Sequence, residues 1–398
     1  MQIDTEKFSH PLVQEFIFAN ENAVEPFLLS STKEIAGVPL HILAAQIQVR
    51  KKAKSKLPSY HRQKGIIYPL TLNLEQSSSE ITARFKAQRM REMFSDSLSV
   101  VDLTGGFGVD TYYFSKEFHH VRYVERDEEL LRIASHNHKV MAASNVSHHL
   151  STAEAFIQTF RGNADICYVD PSRRVQGKKS FRLRDCVPDV TELLPSLLKE
   201  CRGVMIKTSP LMDISQALRE LGQVFQILIV SVDNDCKEVL YVCRPGSTDE
   251  PKIDCIDLKD NLHFTFYLSE EKKIRPSLSP PLKYIYEPNV AILKAGAFKS
   301  VGHFFNLSKL DPDTHLYTSQ ELRSDFPGRV FSTNAILKNR REITTALPTL
   351  QANLILRNFP GSTNDLKSSL GIKDGGDKYL LATTAQREKL FILADRVK

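Results

Sequence analysis

The middle of the chain alternates between short apolar runs and segments with the spacing of one helix face. Between residues 99 and 244, the runs VVDL, VRYVE, DICYVD, GVMIKT, FQILIVSV and EVLYVC predict strands. Residues 127–141 place Leu130, Ile133 and Val140 on one stripe behind an acidic first turn, which predicts a helix. Strands that alternate with helices in this way indicate a parallel α/β sheet.

The last two apolar runs are separated by a connection too short to hold a crossover helix. About four residues around Asn234-Asp235 lie between them, so these two strands are expected to form an antiparallel hairpin at the sheet edge. The pattern therefore predicts an α/β, Rossmann-like sheet of seven strands, parallel except for that edge hairpin.

The flanking regions have a different character. Residues 1–95 carry helical patches, for example Leu40, Leu43 and Ile47 on one face, and predict an α-rich N-terminal domain. The spacing Ser77-x-x-Glu80 has the form of a capping box that starts a helix running to about Phe94. Beyond about residue 250, the runs IDCIDL, HFTFYL, VAILKAG and ANLILRNF predict strands mixed with shorter helices, an α+β pattern.

Composition limits the class of protein without identifying it. The chain has 398 residues, 41% apolar and 25% charged, which is typical of a folded protein of two or three domains. A net charge of +6, from 53 basic and 47 acidic residues, does not by itself imply nucleic acid. No signal sequence or membrane span is expected, so the protein is predicted to be cytoplasmic.

The cysteine and histidine patterns do not predict a metal site. The 6 cysteines are scattered without a CxxC pair, so reduced, buried thiols are expected rather than disulfides or a zinc knuckle. Three pairs of histidines are predicted to be surface residues: His119-His120, His148-His149 and His136-x-His138. Histidines one or two positions apart cannot share a helix face and so cannot bind one metal ion together.

A glycine-rich turn after the first strand carries the chemistry. Gly105, Gly106 and Gly108 follow Asp102 and precede a helix, so backbone amides there can approach a ligand closely. Glu125 ends the next strand 20 positions after Gly105, where an acid can bind both hydroxyls of a ribose. The predicted ligand therefore contains an adenosyl-type ribose.

Three interpretations of this turn are open. A dinucleotide site favours G-x-G-x-x-G, but Thr111 stands three positions after Gly108. Asp102 would repel a phosphate and suits an ammonium group, which S-adenosylmethionine has and NAD lacks. The methyl donor is favoured over a dinucleotide and over a glycine turn with a purely structural role.

These motifs resemble those of class I S-adenosylmethionine-dependent methyltransferases. The segment Asp102–Thr111 is similar to the D-x-F-x-G-x-G-G-N-T of the cap-type guanine-N2 methyltransferases, and Glu125–Asp127 and Ala134–Asn137 are similar to their E-x-D and A-x-x-N. In that family the first motif binds the methionine end and the E-x-D glutamate holds the ribose. The cofactor-binding residues that the resemblance implies are Asp102, Thr104, Gly105, Gly106, Gly108, Asp110, Glu125 and Asp127. Glu154, after the third strand, is predicted either to contact the adenine amine or to cap a helix.

The fourth strand ends in a segment that departs from the amino-group methyltransferases. Those enzymes have (D/N/S)-P-P-(W/Y/F), whereas this chain has Asp170-Pro-Ser-Arg-Arg174. An arginine can stack on a base or pair with a phosphate, so Arg173 and Arg174 can still serve base chemistry. The predicted catalytic residues are Asp170, Pro171, Arg173 and Arg174. No cysteine lies in this segment or directly after Lys207-Thr-Ser-Pro210, which disfavours methylation of pyrimidine carbon 5.

The whole chain also resembles a bacterial methyltransferase family with a ferredoxin-like piece and a THUMP-like C-terminal domain. Residues 286–296 resemble the ferredoxin-like piece, and Arg357–Pro360 with Asp374–Leu380 resemble the THUMP-like domain. The expected organisation is an α-rich domain at 1–95, a methyltransferase domain at 96–247, a ferredoxin-like piece at 252–325 and a THUMP-like domain at 326–398. This resemblance implies an RNA substrate.

Two basic blocks agree with an RNA partner. One comprises Arg50–Lys56 with His61–Lys64, and the other runs from Arg173 to Arg184. Each is interpreted either as a contact for a polyanion or as a solvated helix face.

The predicted function is S-adenosylmethionine-dependent methylation of a base nitrogen in tRNA or rRNA, with guanine favoured over adenine. The alternatives are a methyltransferase for protein or a small molecule, and a non-catalytic RNA-binding protein with S-adenosylmethionine as a structural ligand. Membrane and metal partners are not expected.

Overall fold

The computed structural model describes residues 3–22, 34–69, 71–160, 164–173 and 182–398. The chain forms two compact units. The first runs from the N-terminus to Phe225 and includes Leu240–Asp249, and the second comprises Gln226–Val239 and Glu250–Lys398.

The N-terminal part of the first unit is helical. Its described elements are α1 (Thr5–Phe8), α2 (Pro11–Ala19), β1 (Glu34–Ile35), β2 (Val38–Pro39), α3 (Leu40–Lys56), α4 (Pro58–Arg62), α5 (Thr71–Gln76) and α6 (Glu80–Met93). Helix α3 buries Leu43 and Ile47, as its apolar spacing predicts. The long helix after it, α6, ends within one residue of the predicted position.

The start of α6 differs from the predicted capping box. Ser79, and not Ser77, is the N-cap, and its hydroxyl accepts a backbone amide of the first turn. Glu80 accepts from the amide and the hydroxyl of Ser59, both at 2.7 Å. Ser59 lies 21 residues away in sequence, so a tertiary contact determines what Glu80 binds.

A parallel sheet with crossover helices forms the rest of the first unit. Its elements in chain order are β3 (Ser99–Asp102), α7 (Val109–Glu117), β4 (His120–Glu125), α8 (Glu128–Val140), β5 (Val146–Leu150), α9 (Ala153–Thr159), β6 (Ile166–Val169), β7 (Ser172–Arg173), β8 (Cys186–Val187), α10 (Val190–Glu200), β9 (Gly203–Thr208) and α11 (Ile214–Leu221). Five parallel strands follow the order β9-β6-β3-β4-β5, and β7 pairs with β8. The strand order reverses between β3 and β6, and ligands of open α/β sheets bind at the carboxyl ends of strands at such a point.

The predicted hairpin is present, but it does not lie at the sheet edge. Strands β10 (Val224–Val232) and β11 (Asp235–Cys243) are joined by Asp233 and Asn234 with φ of 55° and 57°, which is typical of a type I′ turn. Within the second unit, β10 also pairs in parallel with β12 (Lys252–Asp257), which pairs with β13 (Leu262–Phe266).

Within the described part of the chain, the sheet therefore has nine strands, in the order β13-β12-β10-β11-β9-β6-β3-β4-β5, and the predicted count of seven is wrong. Strand β12 is buried almost along its whole length. An apolar run of this kind predicts a strand but does not show which strand it pairs with, which explains the error.

The second unit contains a further sheet. Its elements are α12 (Leu268–Lys273), β14 (Tyr284–Pro288), α13 (Val290–Ala295), α14 (Ser300–Phe304), β15 (Ser308–Asp311), β16 (Thr314–Ser319), β17 (Gly328–Leu337), α15 (Arg340–Ala346), β18 (Asn353–Arg357), α16 (Thr363–Leu370), β19 (Lys378–Ala385) and β20 (Glu388–Arg396). The seven strands follow the order β15-β16-β14-β17-β20-β19-β18. Two apolar clusters pack against this sheet, one around Ile285 and Phe331 and one around Ile343 and Leu380.

One predicted strand of this region is a helix. The run VAILKAG forms α13, because Asn289 caps it by accepting the Ala291 amide at 2.8 Å and Gly296 ends it in the left-handed region at φ 77°. A short apolar run fits a buried strand and a buried helix equally well, so the capping residues decide.

Among the described residues, none of the helices combines the length and the apolar character needed to span a membrane. The 6 cysteines are free thiols.

Candidate functional site

The glycine turn lies between β3 and α7, at the carboxyl end of the central strand. A Cβ atom on Gly105 would lie 2.2 Å from the Tyr123 ring, so only glycine fits there. Gly108 has φ 82°, and a Cβ on it would lie 2.8 Å from the ring nitrogen of His138. The tight packing of the turn on β4 and α8 therefore requires glycine at both positions, besides any contact with a ligand.

His138 packs against this turn, and its burial contradicts the prediction that it lies at the surface. The side chain is buried, with Nε2 2.9 Å from the carbonyl oxygen of Gly108 and Nδ1 2.9 Å from Nε2 of His148. Burial lowers the pKa of His138 to about 4, so the ring is neutral at pH 7. The prediction that the histidines around residue 136 are surface residues is wrong for His138, because α8 turns this one toward the sheet.

Asp102 is the last residue of β3 and directly precedes the turn. Its carboxylate is 1% exposed and accepts from the Thr111 hydroxyl at 2.6 Å and the Thr104 amide at 3.1 Å. Burial raises the pKa of Asp102 to about 7, and the nearby carboxylates Asp110 and Asp170 act in the same direction. A cationic ligand group beside Asp102 would offset this cost and hold the carboxyl ionised.

Glu125 ends β4, the neighbouring strand. Its Oε2 accepts from the Gly106 amide at 2.8 Å, and its Oε1 accepts from the Asp127 amide at 2.9 Å. Because each carboxylate oxygen offers two acceptor positions, one position on each oxygen remains for a pair of ligand hydroxyls. The side chain is also held rigidly, which suits recognition of a ribose.

Asp110 lies in a buried polar network rather than at an open surface. Its carboxylate accepts from the Ser78 hydroxyl at 2.7 Å and the Tyr168 hydroxyl at 3.0 Å, and it pairs with the Lys86 ammonium at 3.2 Å. Burial acts to raise the pKa of Asp110, but the Lys86 and Lys207 ammonium groups outweigh it and hold the pKa below its usual value. The network joins α6, α7 and β6, so its first role is to position the start of α7.

Asp170 follows β6 and is paired with a residue that the sequence analysis did not select. Its amide donates to the Thr104 hydroxyl at 2.7 Å, and its Oδ2 accepts from the ammonium of Lys207 at the end of β9. Strands β6 and β9 are neighbours with Val169 opposite Ile206, so Asp170 and Lys207 follow at the next register position. The sequence signal that could have identified Lys207 is a basic residue at the carboxyl end of the strand next to β6.

The remaining predicted site residues lie on three separate segments of the chain. Asp127 caps α8, accepting from the Glu129 and Leu130 amides at 2.9 and 3.1 Å, and Glu154 is exposed in the first turn of α9, which Thr152 caps. Pro171 is half-buried beside Asp170. The side chain of Arg173 and all of Arg174 lie outside the described residues, so the roles of this group stay predictions.

The charge balance of the site fits a cationic ligand. Lys86 pairs with Asp110 and Lys207 pairs with Asp170, while Asp102 lies near both carboxylates, which leaves one negative charge in excess when all five are ionised. S-adenosylmethionine carries a sulfonium and an ammonium against one carboxylate, whereas a dinucleotide carries a diphosphate. The donor set therefore fits the methyl donor, for which Asp102 would face the methionine ammonium and Glu125 the ribose. Among the described residues, no group of three or more His, Cys, Asp or Glu could hold a metal ion.

The first basic block is only partly available to an external anion. Arg50 is 3% exposed, pairs with Glu21 at 3.2 Å and lies over the Phe18 ring at 3.8 Å. Lys56 donates to the carbonyls of Leu74 and Glu75 near the end of α5, at 2.8 and 2.7 Å. These two residues stabilise the N-terminal helices, while Lys51 and Lys54 point at least partly to solvent. Most of the second block, residues 174–181, lies outside the described residues.

A Rossmann-like sheet with a glycine turn, an acidic residue ending each of the first two strands and an aspartate after the fourth defines the class I methyltransferase architecture. Comparisons with known proteins agree. A model of a ferredoxin-like domain matches residues 284–327, and a THUMP domain-like model matches residues 328–396. A crystal structure from Porphyromonas gingivalis W83, provisionally described as a methyltransferase, has a TM-score of 0.89 and 29% identity over 100% of both chains.

Two curated relatives are described as uncharacterized S-adenosylmethionine-dependent methyltransferases of Mycobacterium tuberculosis, from strains CDC 1551 / Oshkosh and ATCC 25618 / H37Rv. Each is 23% identical over 331 residues, which is 82% of this chain and 87% of the relative. The chain is an S-adenosylmethionine-dependent methyltransferase with a ferredoxin-like and a THUMP-like region. The predictions of fold class, enzyme class and cofactor are confirmed.

The ribose assignment makes a testable prediction. Glu125→Ala removes two charge-assisted hydrogen bonds, each worth on the order of 1.5 to 3 kcal/mol, so affinity for S-adenosylmethionine should fall at least tenfold. Calorimetric titration measures the change. Glu192→Ala, an exposed carboxylate in the first turn of α10, is the matched control and should bind as the wild type does. Equal affinity in both variants would remove Glu125 from the site.

Proposed function

We propose that this methyltransferase modifies a nitrogen of a base in tRNA or rRNA, with guanine the preferred base. The observation that carries the proposal is the position of Asp170. Its carboxylate is 32% exposed at the carboxyl end of β6, held through Thr104 to the glycine turn and beside the buried Asp102. A polar acceptor next to the cofactor turn is what a nitrogen acceptor needs for orientation.

The residues of the chain divide the work. S-adenosylmethionine, when bound, supplies an activated methyl group that needs no metal and no covalent intermediate. Asp102 and Glu125 bind and orient the donor, while Asp170 and Pro171 hold the acceptor nitrogen in line. Most of the rate acceleration is expected to come from this positioning and from exclusion of water.

An RNA substrate is supported by the THUMP domain-like match and by the exposed lysines of α3. Residues 328–396 match that model, and RNA modification is the setting that the family resemblance implies for it. The cytoplasmic location stays a prediction.

The test uses RNA from a strain that lacks the gene. The full-length protein with S-adenosylmethionine labelled in the methyl group should transfer label to tRNA or rRNA from that strain and not to RNA from the parent strain. Nucleoside mass spectrometry then identifies the product. Label in protein or in a metabolite, with none in RNA, would overturn the proposal, and binding without transfer to any acceptor would indicate a non-catalytic role.

The proposed contact between the lysines of α3 and the phosphates of RNA makes a separate prediction. Lys51→Ala/Lys54→Ala should lower the slope of log affinity for single-stranded RNA against log salt by about 1.4, at about 0.7 per phosphate. Lys52→Ala, on the same helix α3, is the control, because Lys52 pairs with Glu75 of α5 at 3.1 Å and should contribute less. Fluorescence anisotropy over a series of salt concentrations measures the slope. A slope that does not change in the double variant identifies the block as a solvated helix face.

A further inference from the structure

The pair formed by Asp170 and Lys207 is the starting point. The two side chains lie at the carboxyl ends of neighbouring strands, and the Lys207 ammonium contacts Oδ2 of Asp170. Lys207 is 13% exposed and Asp170 is 32% exposed, so the pair is largely buried but partly accessible to solvent. It presents an acceptor and a donor of hydrogen bonds next to each other.

The electrostatic effect of Lys207 depends on which nitrogen receives the methyl group. A neutral exocyclic amine becomes positively charged as the bond to the methyl carbon forms, and an ammonium group nearby opposes that charge. A lactam nitrogen, with N–H beside C=O, instead loses its proton, and negative charge spreads onto the carbonyl oxygen. An ammonium group within hydrogen-bond reach of that oxygen stabilises the charge.

We propose that the site methylates the ring nitrogen of a lactam edge, the N–H beside C=O found in guanine and uracil. Asp170 accepts the N–H, and Lys207 donates to the adjacent carbonyl oxygen. This inference rests on the proposed function and narrows its substrate class from any base nitrogen to one chemical edge.

The step balances without another reactant. The proton of the ring nitrogen passes to Asp170 and then to solvent. The nitrogen electron pair forms the bond to the methyl carbon while the carbon–sulfur bond breaks, and that bonding pair stays on sulfur as a neutral thioether. Lys207 keeps its proton throughout, so it acts by charge and by donation rather than by proton transfer.

The decisive experiment identifies the product made by the wild-type, full-length protein on RNA from the deletion strain. Nucleoside mass spectrometry should show 1-methylguanosine or 3-methyluridine, and these two products distinguish the two sources of the lactam edge. A product methylated on an exocyclic amine, such as N2-methylguanosine or N6-methyladenosine, would overturn the inference and leave the proposed function standing. Absence of label in RNA would overturn both.

A binding measurement tests Lys207 apart from turnover. Synthetic RNA with guanine at the target position should bind the wild type about tenfold more tightly than RNA with 2-aminopurine there, which lacks both the N–H and the carbonyl oxygen; for a uridine target, cytidine is the comparison. Lys207→Met should reduce this ratio to about 3, because Asp170 still accepts the N–H, whereas Lys207→Arg should retain most of it.

Two controls separate this effect from misfolding. Lys199→Met changes an exposed lysine of α10 and should keep the wild-type ratio. Thermal unfolding and calorimetric titration with S-adenosylmethionine should show Lys207→Met folded and able to bind the methyl donor. A folded Lys207→Met that still prefers the lactam base as strongly as the wild type contradicts the role of Lys207, and the product identified with the wild type tests the lactam edge independently.

Discussion

Asp170→Asn is expected to slow single-turnover methyl transfer about a hundredfold, about 3 kcal/mol of barrier, while affinity for S-adenosylmethionine changes less than about fivefold. The asparagine keeps the shape of the side chain, and its backbone amide can still donate to Thr104. It removes the carboxylate that is proposed to orient the acceptor nitrogen and take its proton. Buried Asp102, which is predicted to bind the donor, is unchanged.

Rapid-quench kinetics on RNA from the deletion strain measures the transfer rate, and calorimetry measures donor binding. Asp249→Asn, an exposed aspartate of the first unit, serves as the matched control and should have wild-type values for both. A transfer rate within about threefold of the wild type in Asp170→Asn would show that Asp170 does not act on the acceptor.

Lys86→Met should lower the free energy of unfolding by about 3 kcal/mol or more, because it leaves the carboxylate of Asp110 buried without its ammonium partner. Lys86 is fully buried, and its ammonium lies 3.2 Å from Asp110 and 3.0 Å from the Ser78 hydroxyl. Since Asp110 also anchors the first turn of α7, the same change should weaken binding of S-adenosylmethionine.

The double variant Lys86→Met/Asp110→Asn should recover part of the lost stability, since it removes the unpaired charge. Urea denaturation followed by circular dichroism compares the variants with Lys199→Met, which should match the wild type. A double variant that is less stable than Lys86→Met by the full cost of Asp110→Asn alone would show that the two charges do not interact.

The sequence predicted the elements that form the candidate site for the methyl donor. The strand before the glycine turn, the glycines themselves and Glu125 at the end of the next strand are all local patterns, with short spacing and a direct physical reason. Asp127 at the start of α8 and the hairpin around Asn234-Asp235, whose turn residues are Asp233 and Asn234, belong to the same category. Such features depend on backbone geometry within a few residues, so the sequence shows them directly.

Pairing between distant segments was beyond the sequence. The apolar run of β12 predicted a strand, but its place beside β10 required the register of a parallel pair. The run VAILKAG was assigned to the wrong element, because a capping asparagine and a terminal glycine outweighed its apolar character. A hydrophobic pattern reports burial, and burial alone does not specify the partner.

The polar groups around the site show most clearly this difference between local features, which the sequence predicts, and long-range pairs, which it does not. Asp102, Glu125 and Asp170 were identified from motifs, but Lys86, His138 and Lys207 were not, although they respectively pair with Asp110, support Gly108 and pair with Asp170. The first three stand at strand ends that a linear pattern marks. The others act across 24, 30 and 37 residues, respectively. Sequence by itself determined the glycine turn and the acidic strand ends at which a cationic donor is predicted to bind, and only the tertiary structure decided which charges surround them, because electrostatic interaction depends on distance in space rather than along the chain.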